Sequence, residues 1–190
     1  MAKQPVLTPA VQHIVRNFNI FGFGNEEFAL LQSIKELVEN SIDACKNQRI
    51  LGRSHGIAIN LRSSPSSSAY IELEVSDDGC GMCDPSSVLK CFTTHKDFSD
   101  STTTGRFGVG LSTCLIYSLV NTGVPMRIVT KGRADSGCTV ADFSLDSSGS
   151  PVCVQSRNIE VSNLLGGTKV RVTLLLSEHK AKKVLQRGML

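Results

Sequence analysis

Glu36-Leu37-Val38-Glu39-Asn40-Ser41-Ile42-Asp43-Ala44 lies inside a longer stretch whose apolar residues recur in steps of three and four: Phe28, Leu31, Ile34, Val38, Ile42 and Cys45. That step predicts an amphipathic helix over about 26–48. Asn25 suits its N-cap, and Glu26 and Glu27 suit the positive end of its dipole. Glu36, Asn40 and Asp43 stand at i, i+4 and i+7, so they share a second face away from the apolar stripe. A carboxylate one turn from a carboxamide can hold a water and a hard cation together. The Asn40 oxygen suits Mg²⁺, which keeps several waters and completes its shell with phosphates. A solvated polar helix face has the same composition, so the helix alone leaves both readings open.

Working outward, residues 1–25 mix apolar and polar positions without a clean period and read as an arm or strap, with a short helix at 9–17. Beyond the helix, Ile57, Ile59 and Leu61 alternate with polar residues, as do Ile71, Leu73 and Val75. Two strands joined by the Ser/Pro segment 63–68 are expected to pair as a hairpin. Pro85 fits the first turn of a short helix running to about Phe92. Residues 93–110 are rich in Thr, Ser and Gly with almost no apolar anchor, the profile of a mobile loop. Leu111–Leu119 reads as a buried helix, and Met126–Thr130, Thr139–Leu145, Val152–Ser156 and Lys169–Leu176 as strands. Residues 177–190 read as a basic helical tail. This order predicts an α+β, two-layer sandwich with helices on one face of a sheet.

Three glycine-rich segments punctuate that plan. Asp77-Asp78-Gly79-Cys80-Gly81-Met82 follows a strand. Its glycines admit positive φ and close approach, and a strand-end Asp can accept from an exocyclic amine; ordinary hairpin chemistry looks the same. Gly105-Arg106-Phe107-Gly108-Val109-Gly110-Leu111 feeds an apolar helix. Such a loop offers backbone N–H groups and a positive dipole end to phosphate. No Lys-Ser/Thr follows it, which excludes a Walker A loop, and no strand precedes it, which excludes a dinucleotide fingerprint. Gly166-Gly167-Thr168 precedes the last strand and by itself is a plain turn.

The 190 residues suit one domain, and 41% hydrophobic with 19% charged residues is globular composition. A net charge of +3 is too weak to argue for nucleic-acid binding. Seven cysteines form an odd set in a chain too large for a stapled mini-domain, with no signal-type apolar run behind Met1–Pro5; reduced thiols in cytosol or nucleus are expected. Cys80-Gly-Met-Cys83 has zinc-type spacing without a second pair, so small buried thiols are the preferred reading. No apolar run reaches membrane-spanning length, and no membrane partner is expected.

Taken together, the four segments resemble the motifs of the GHKL superfamily, which includes DNA gyrase, topoisomerase VI, the MutL repair proteins, heat-shock chaperone ATPases and histidine kinases. Glu36-x-x-x-Asn40-x-x-Asp43-Ala44 is similar to the first motif, Asp77-x-Gly79-x-Gly81 to the second, Gly105-x-x-Gly108-x-Gly110 to the third and Gly167-Thr168 to the fourth. Within the superfamily the chain resembles topoisomerase VI B subunits. Gly22-Phe23, the phrase Glu36–Cys45, and Tyr117-Ser-Leu-Val-Asn-Thr-Gly-Val-Pro-Met126 carry that likeness. The Thr- and Ser-rich loop Cys91–Thr104, the insert at 63–68 and the lack of Gln-Gln in the third motif depart from the pattern. They suggest a divergent relative, such as a eukaryotic B-like subunit of the meiotic break machinery.

The resemblance implies a Bergerat fold over 26–176, with a mixed, mostly antiparallel sheet, binding ATP with Mg²⁺. It implies that Glu36 is the general base, Asn40 the Mg²⁺ ligand and Asp43 a residue behind them. Asp77 would accept from the adenine amino group with support from Thr168, while Gly79, Gly81 and Met82 border the base. Gly105, Arg106, Phe107, Gly108, Val109, Gly110 and Leu111 would wrap the phosphates, and Lys96 could reach one from the lid. The implied partners are a DNA-cleaving A-type subunit, DNA through that complex, and a second copy in an ATP-dependent homodimer. A nucleotide-gated scaffold without turnover is the alternative. A histidine kinase fits less well, because Glu36 would be superfluous and no phosphoacceptor helix precedes it. In topoisomerase relatives a following transducer domain supplies a lysine to the γ-phosphate. Residues 177–190 leave no room for one, so a fragment or stand-alone form is expected, nuclear if eukaryotic and otherwise cytoplasmic.

Overall fold

The computed structural model describes residues 8–47, 54–86, 109–132, 134–147, 149–160 and 166–187. Within them the chain runs α1 (Pro9–Arg16), α2 (Glu26–Asn47), β1 (Ile57–Ser63), β2 (Tyr70–Asp77), α3 (Gly110–Thr122), β3 (Met126–Lys131), β4 (Gly137–Leu145), β5 (Pro151–Glu160), β6 (Gly167–Leu175) and α4 (Glu178–Arg187). The expected elements are therefore present, and the short helix after Pro85 and the loop at 93–108 lie outside the described residues. The strands form one sheet in the order β1-β2-β6-β3-β4-β5. Every described pairing is antiparallel, so the sheet is more uniform than the mixed one expected.

Alternation decides which side of each strand is covered. Ile71, Leu73 and Val75 of β2, Met126 and Ile128 of β3, and Val170, Val172 and Leu174 of β6 all point to one face and are buried. There they pack with Leu30 and Leu37 of α2 and with Leu111, Cys114 and Leu115 of α3. Each such side chain contributes about 1.5–3 kcal/mol on burial. Asn25 caps α2 as expected, accepting the Phe28 N–H at 2.9 Å through Oδ1.

The expected apolar stripe of α2 is only partly the buried one. Phe28 is 60% and Leu31 61% exposed, whereas Ala29, Leu30, Ser33, Leu37 and Ser41 are buried. Two serines in the buried row dilute its hydrophobicity, so periodicity tilts toward the wrong side. The arm also departs from a simple strap: Val11 and Ile14 of α1 are buried against Ile116 of α3 in the same chain. The basic tail is docked too. Ala181 of α4 is buried in the main core, and Glu26 accepts the Ser177 N–H at 3.1 Å and pairs with Lys180 at 3.4 Å.

The uncovered sheet face carries ion pairs across strands. Arg127 donates to Asp142 through Nε at 2.7 Å and Nη2 at 2.8 Å, and Arg171 donates to Glu74 at 2.7 Å. The Arg127 hydrogen bonds hold the Asp142 carboxyl below its usual range. A lowered carboxyl stabilises the fold above the ordinary Asp range, and that contribution is lost as pH falls through the lowered value. Asp142→Asn should thus cost about 1 kcal/mol near neutral pH, because Arg127 is half exposed. The difference should shrink in acid, as urea melts at a series of pH values will read. A constant difference would contradict the pairing.

Candidate functional site

Asp77 is the last residue of β2 and continues the helix-facing row Ile71, Leu73, Val75. Its register partner on β6 is Thr168, whose partner on β3 is Thr130. Strand pairing thus sets the second motif, the fourth motif and one further threonine side by side at one end of the sheet. The Asp77 carboxylate is half-buried and held from three directions. Ser41 of α2 donates to Oδ2 at 2.9 Å, and the backbone N–H groups of Gly79 and Thr168 donate to Oδ1 at 3.0 and 3.2 Å. A carboxylate offers about four acceptor positions, so these three leave roughly one for a further donor. Burial pushes the Asp77 carboxyl above its usual range, against the pull of those hydrogen bonds and with the help of neighbouring Asp78.

The motif glycines are filled by the protein itself. A Cβ on Gly79 would stand 2.7 Å from the Ala44 carbonyl carbon, so Gly79 lets the turn press against α2. The Cys80 N–H donates to the Ala44 carbonyl at 3.2 Å and ties that contact. Gly81 has φ +74°, and a Cβ there would strike the Lys131 carbonyl of β3. The Met82 N–H donates to Thr130 Oγ1 at 2.8 Å, and that hydroxyl lies 3.1 Å from Thr168 Oγ1. Thr168 and Thr130 are both buried. Gly167, with φ +128°, brings β6 against the Asp77 carbonyl.

Glu36 stands on α2 more than one turn before Ser41. Gln32 donates to its Oε1 at 2.7 Å, and Lys35 stands 3.8 Å away. A Cβ on Gly110 would collide with Glu36 Oε2, so the last glycine of the third motif opens α3 directly against the carboxylate. Asn40 is half-buried one turn further along α2. Asp43 is buried, with Lys46 at 3.9 Å. Leu111 is buried behind Gly110, and Val109 is the α3 N-cap. Lys96, Gly105, Arg106, Phe107 and Gly108 lie outside the described residues.

Two participants were not singled out in the sequence, Ser41 and Thr130. Ser41 stands four residues after Leu37, the spacing of the buried row, and that was the available signal. Thr130 carried none until β3 was paired with β6.

Residues 25–178 match the family described as histidine kinase-, DNA gyrase B- and HSP90-like ATPases. The chain belongs to this family. Its GHKL ATPase domain is related to topoisomerase VI B. Curated relatives include the B subunits of type 2 DNA topoisomerase 6 from Saccharolobus islandicus and from Saccharolobus solfataricus, each 27% identical over 93% of this chain. The chain spans about a third, 33%, of those relatives. Among solved structures, the ATPase region of Saccharomyces cerevisiae topoisomerase II superposes with a TM-score of 0.55 at 17% identity, over 83% of this chain and 43% of that one. The ATPase and transducer domains of Balamuthia mandrillaris topoisomerase II give 0.52 at 18%, over 80% and 38%. At such identity these two show the shared GHKL fold. The first, second and fourth motifs meet around the Asp77 carboxylate, with the described end of the third beside Glu36. Among the described residues no helix is long and apolar enough to cross a membrane.

Proposed function

We propose that this domain binds ATP with Mg²⁺ and hydrolyses it, and that it serves as the nucleotide-gated part of a topoisomerase VI B-like subunit. The observation that carries the reading is the Asp77 carboxylate, half-buried, held by donors from α2, the glycine turn and β6, with one acceptor position to spare. The site fits the ligand: an anionic acceptor at a strand end with an acceptor position to spare, and a carboxylate beside a helix N-terminus.

Asp77 would accept from the adenine amino group, and Ser41, Gly79 and Thr168 hold it in place for that. Thr168 and Thr130 close the floor beside it. The N-terminus of α3 would turn the positive end of its dipole to the phosphates. Glu36, its rotamer fixed by Gln32, would take the proton from the attacking water. Asn40, one turn away, would offer its carbonyl oxygen to the cation. Bound Mg²⁺ would neutralise charge developing on the phosphate oxygens.

The test is calorimetric titration with Mg²⁺ and a non-hydrolysable ATP analogue. Asp77→Ala should weaken binding about tenfold to a hundredfold, the loss of a charged acceptor. Equal affinity in a folded variant would overturn the site.

In the wider reading, nucleotide binding joins two copies, and the dimer works on DNA with a cleaving A-type partner, in a topoisomerase or a meiotic break complex. Ile20, Phe28 and Leu31, 75%, 60% and 61% exposed, support a contact at the start of α2. Because α1 packs in cis, surface substitution is a cleaner probe than deleting the arm. Phe28→Ser with Leu31→Ser should abolish analogue-dependent dimerisation in sedimentation while leaving analogue binding intact. Undiminished dimerisation would remove this face from the reading.

A further inference from the structure

Next to Asp77, three side chains distant in sequence converge at Asp78. Cys45 comes from the last turns of α2, His55 from the segment leading into β1, and Asp78 from the residue after β2. One ligating atom from each lies within 4.8 Å of the other two. His55 Nδ1 is 3.0 Å from Asp78 Oδ1, which also accepts the Gly56 N–H at 2.9 Å. The other ring nitrogen, His55 Nε2, is buried and has no hydrogen-bond partner among the described residues. Nδ1, the ring nitrogen turned toward Asp78, is the atom that would ligate beside the carboxylate.

We infer that Cys45, His55 and Asp78 form a binding site for a borderline-soft divalent cation, with Zn²⁺ the class that fits the donors. A thiolate, an imidazole and a carboxylate are the ligand types Zn²⁺ takes, and three protein ligands leave a fourth tetrahedral position for water. Bond lengths of about 2.0–2.3 Å put neighbouring tetrahedral donors roughly 3.5 Å apart. Closure therefore needs an inward shift of about an ångström at the widest pair. His55 lies outside β1 and can supply it. The site opens on a hollow of about 280 Å³ lined by Ile42, Cys45, Lys46, His55 and Ile57. The Lys46 ammonium is 3.9 Å from Asp43, which offsets its charge.

On binding, the ion would release the Cys45 thiol proton to solvent. The cluster uses neither Cys83 nor a CxxC pair, so spacing rules in the sequence do not reveal it. It ties together the ends of α2, β1 and β2 and does not depend on the nucleotide reading.

The experiment uses the full chain, stripped with a chelator, kept reduced by a phosphine and free of nucleotide. Zn²⁺ titration should saturate at one equivalent and raise the melting temperature. Co²⁺ in its place should give a near-ultraviolet thiolate charge-transfer band with tetrahedral visible bands. Cys45→Ser and His55→Gln should each weaken Zn²⁺ binding by at least the loss seen for an outer-shell partner, about 10–100-fold, while Cys83→Ala, an exposed thiol, should bind as the parent does. Sub-stoichiometric binding, or parent-like affinity in Cys45→Ser, would overturn the site. Absence of the charge-transfer band in the parent would do so even if the variants failed to fold.

Discussion

Glu36→Ala should leave Mg²⁺-ATP bound and remove hydrolysis, by about 10²–10⁴-fold in rate. The geometry separates the two effects. Glu36 stands against the first residue of α3, where phosphates would meet the helix end, and more than one turn along α2 from Ser41, which holds the Asp77 carboxylate. Asn40→Ala, one turn along α2, should instead weaken Mg²⁺-ATP binding itself, because its oxygen would face the cation. Gly110→Ala should mimic part of the Glu36 loss without unfolding the domain. The added methyl would meet the Glu36 side chain from Cγ to the carboxylate and push it away from Gln32. Since the chain spans about a third, 33%, of its topoisomerase relatives, the comparison belongs in a preparation that turns over, with partner proteins present. Should the parent bind ATP yet never exceed the Glu36→Ala rate there, the nucleotide-gated scaffold replaces the enzyme.

Gly81→Ala is expected to be the most damaging glycine substitution of the second motif, costing about 3 kcal/mol or more. Two terms add. A φ of +74° is unfavourable for any L side chain, by about 1–2 kcal/mol, and the new methyl would strike the Lys131 carbonyl of β3. Backbone cannot step aside as a side-chain end can, so overpacking adds about 1–3 kcal/mol. Gly123 provides the comparison. It ends α3 at φ +69°, with nothing within 4 Å of where its Cβ would stand. Gly123→Ala should therefore show the conformational term alone, about 1 kcal/mol. Denaturant melts of the two variants measure the difference, and equal costs would mean that the turn and β3 do not meet as described.

The sequence by itself determined the elements and the family. Alternation in β2, β3 and β6 marks one buried face, and the spacing of Glu36, Asn40 and Asp43 sets one helix face, because both depend only on residue period. The glycine turns could be located for the same local reason, since a strand followed by Asp-x-Gly-x-Gly has few other uses when three companion motifs accompany it in order.

What only the tertiary structure decided depends on pairings between distant segments. Which side of α2 is buried was one such choice: Ser33 and Ser41 are buried while Phe28 and Leu31 are not, and hydrophobic periodicity cannot weigh a serine that fits a close packing contact. Ser41 and Thr130 gained their roles because strand register sets Asp77, Thr168 and Thr130 in one row. Gly79 and Gly81 turned out to make room for α2 and β3, a demand made by neighbours far along the chain. The meeting of Cys45, His55 and Asp78 has the same origin: their separations in sequence fit no ligand spacing, and they come within reach because α2 packs over the β1–β2 hairpin.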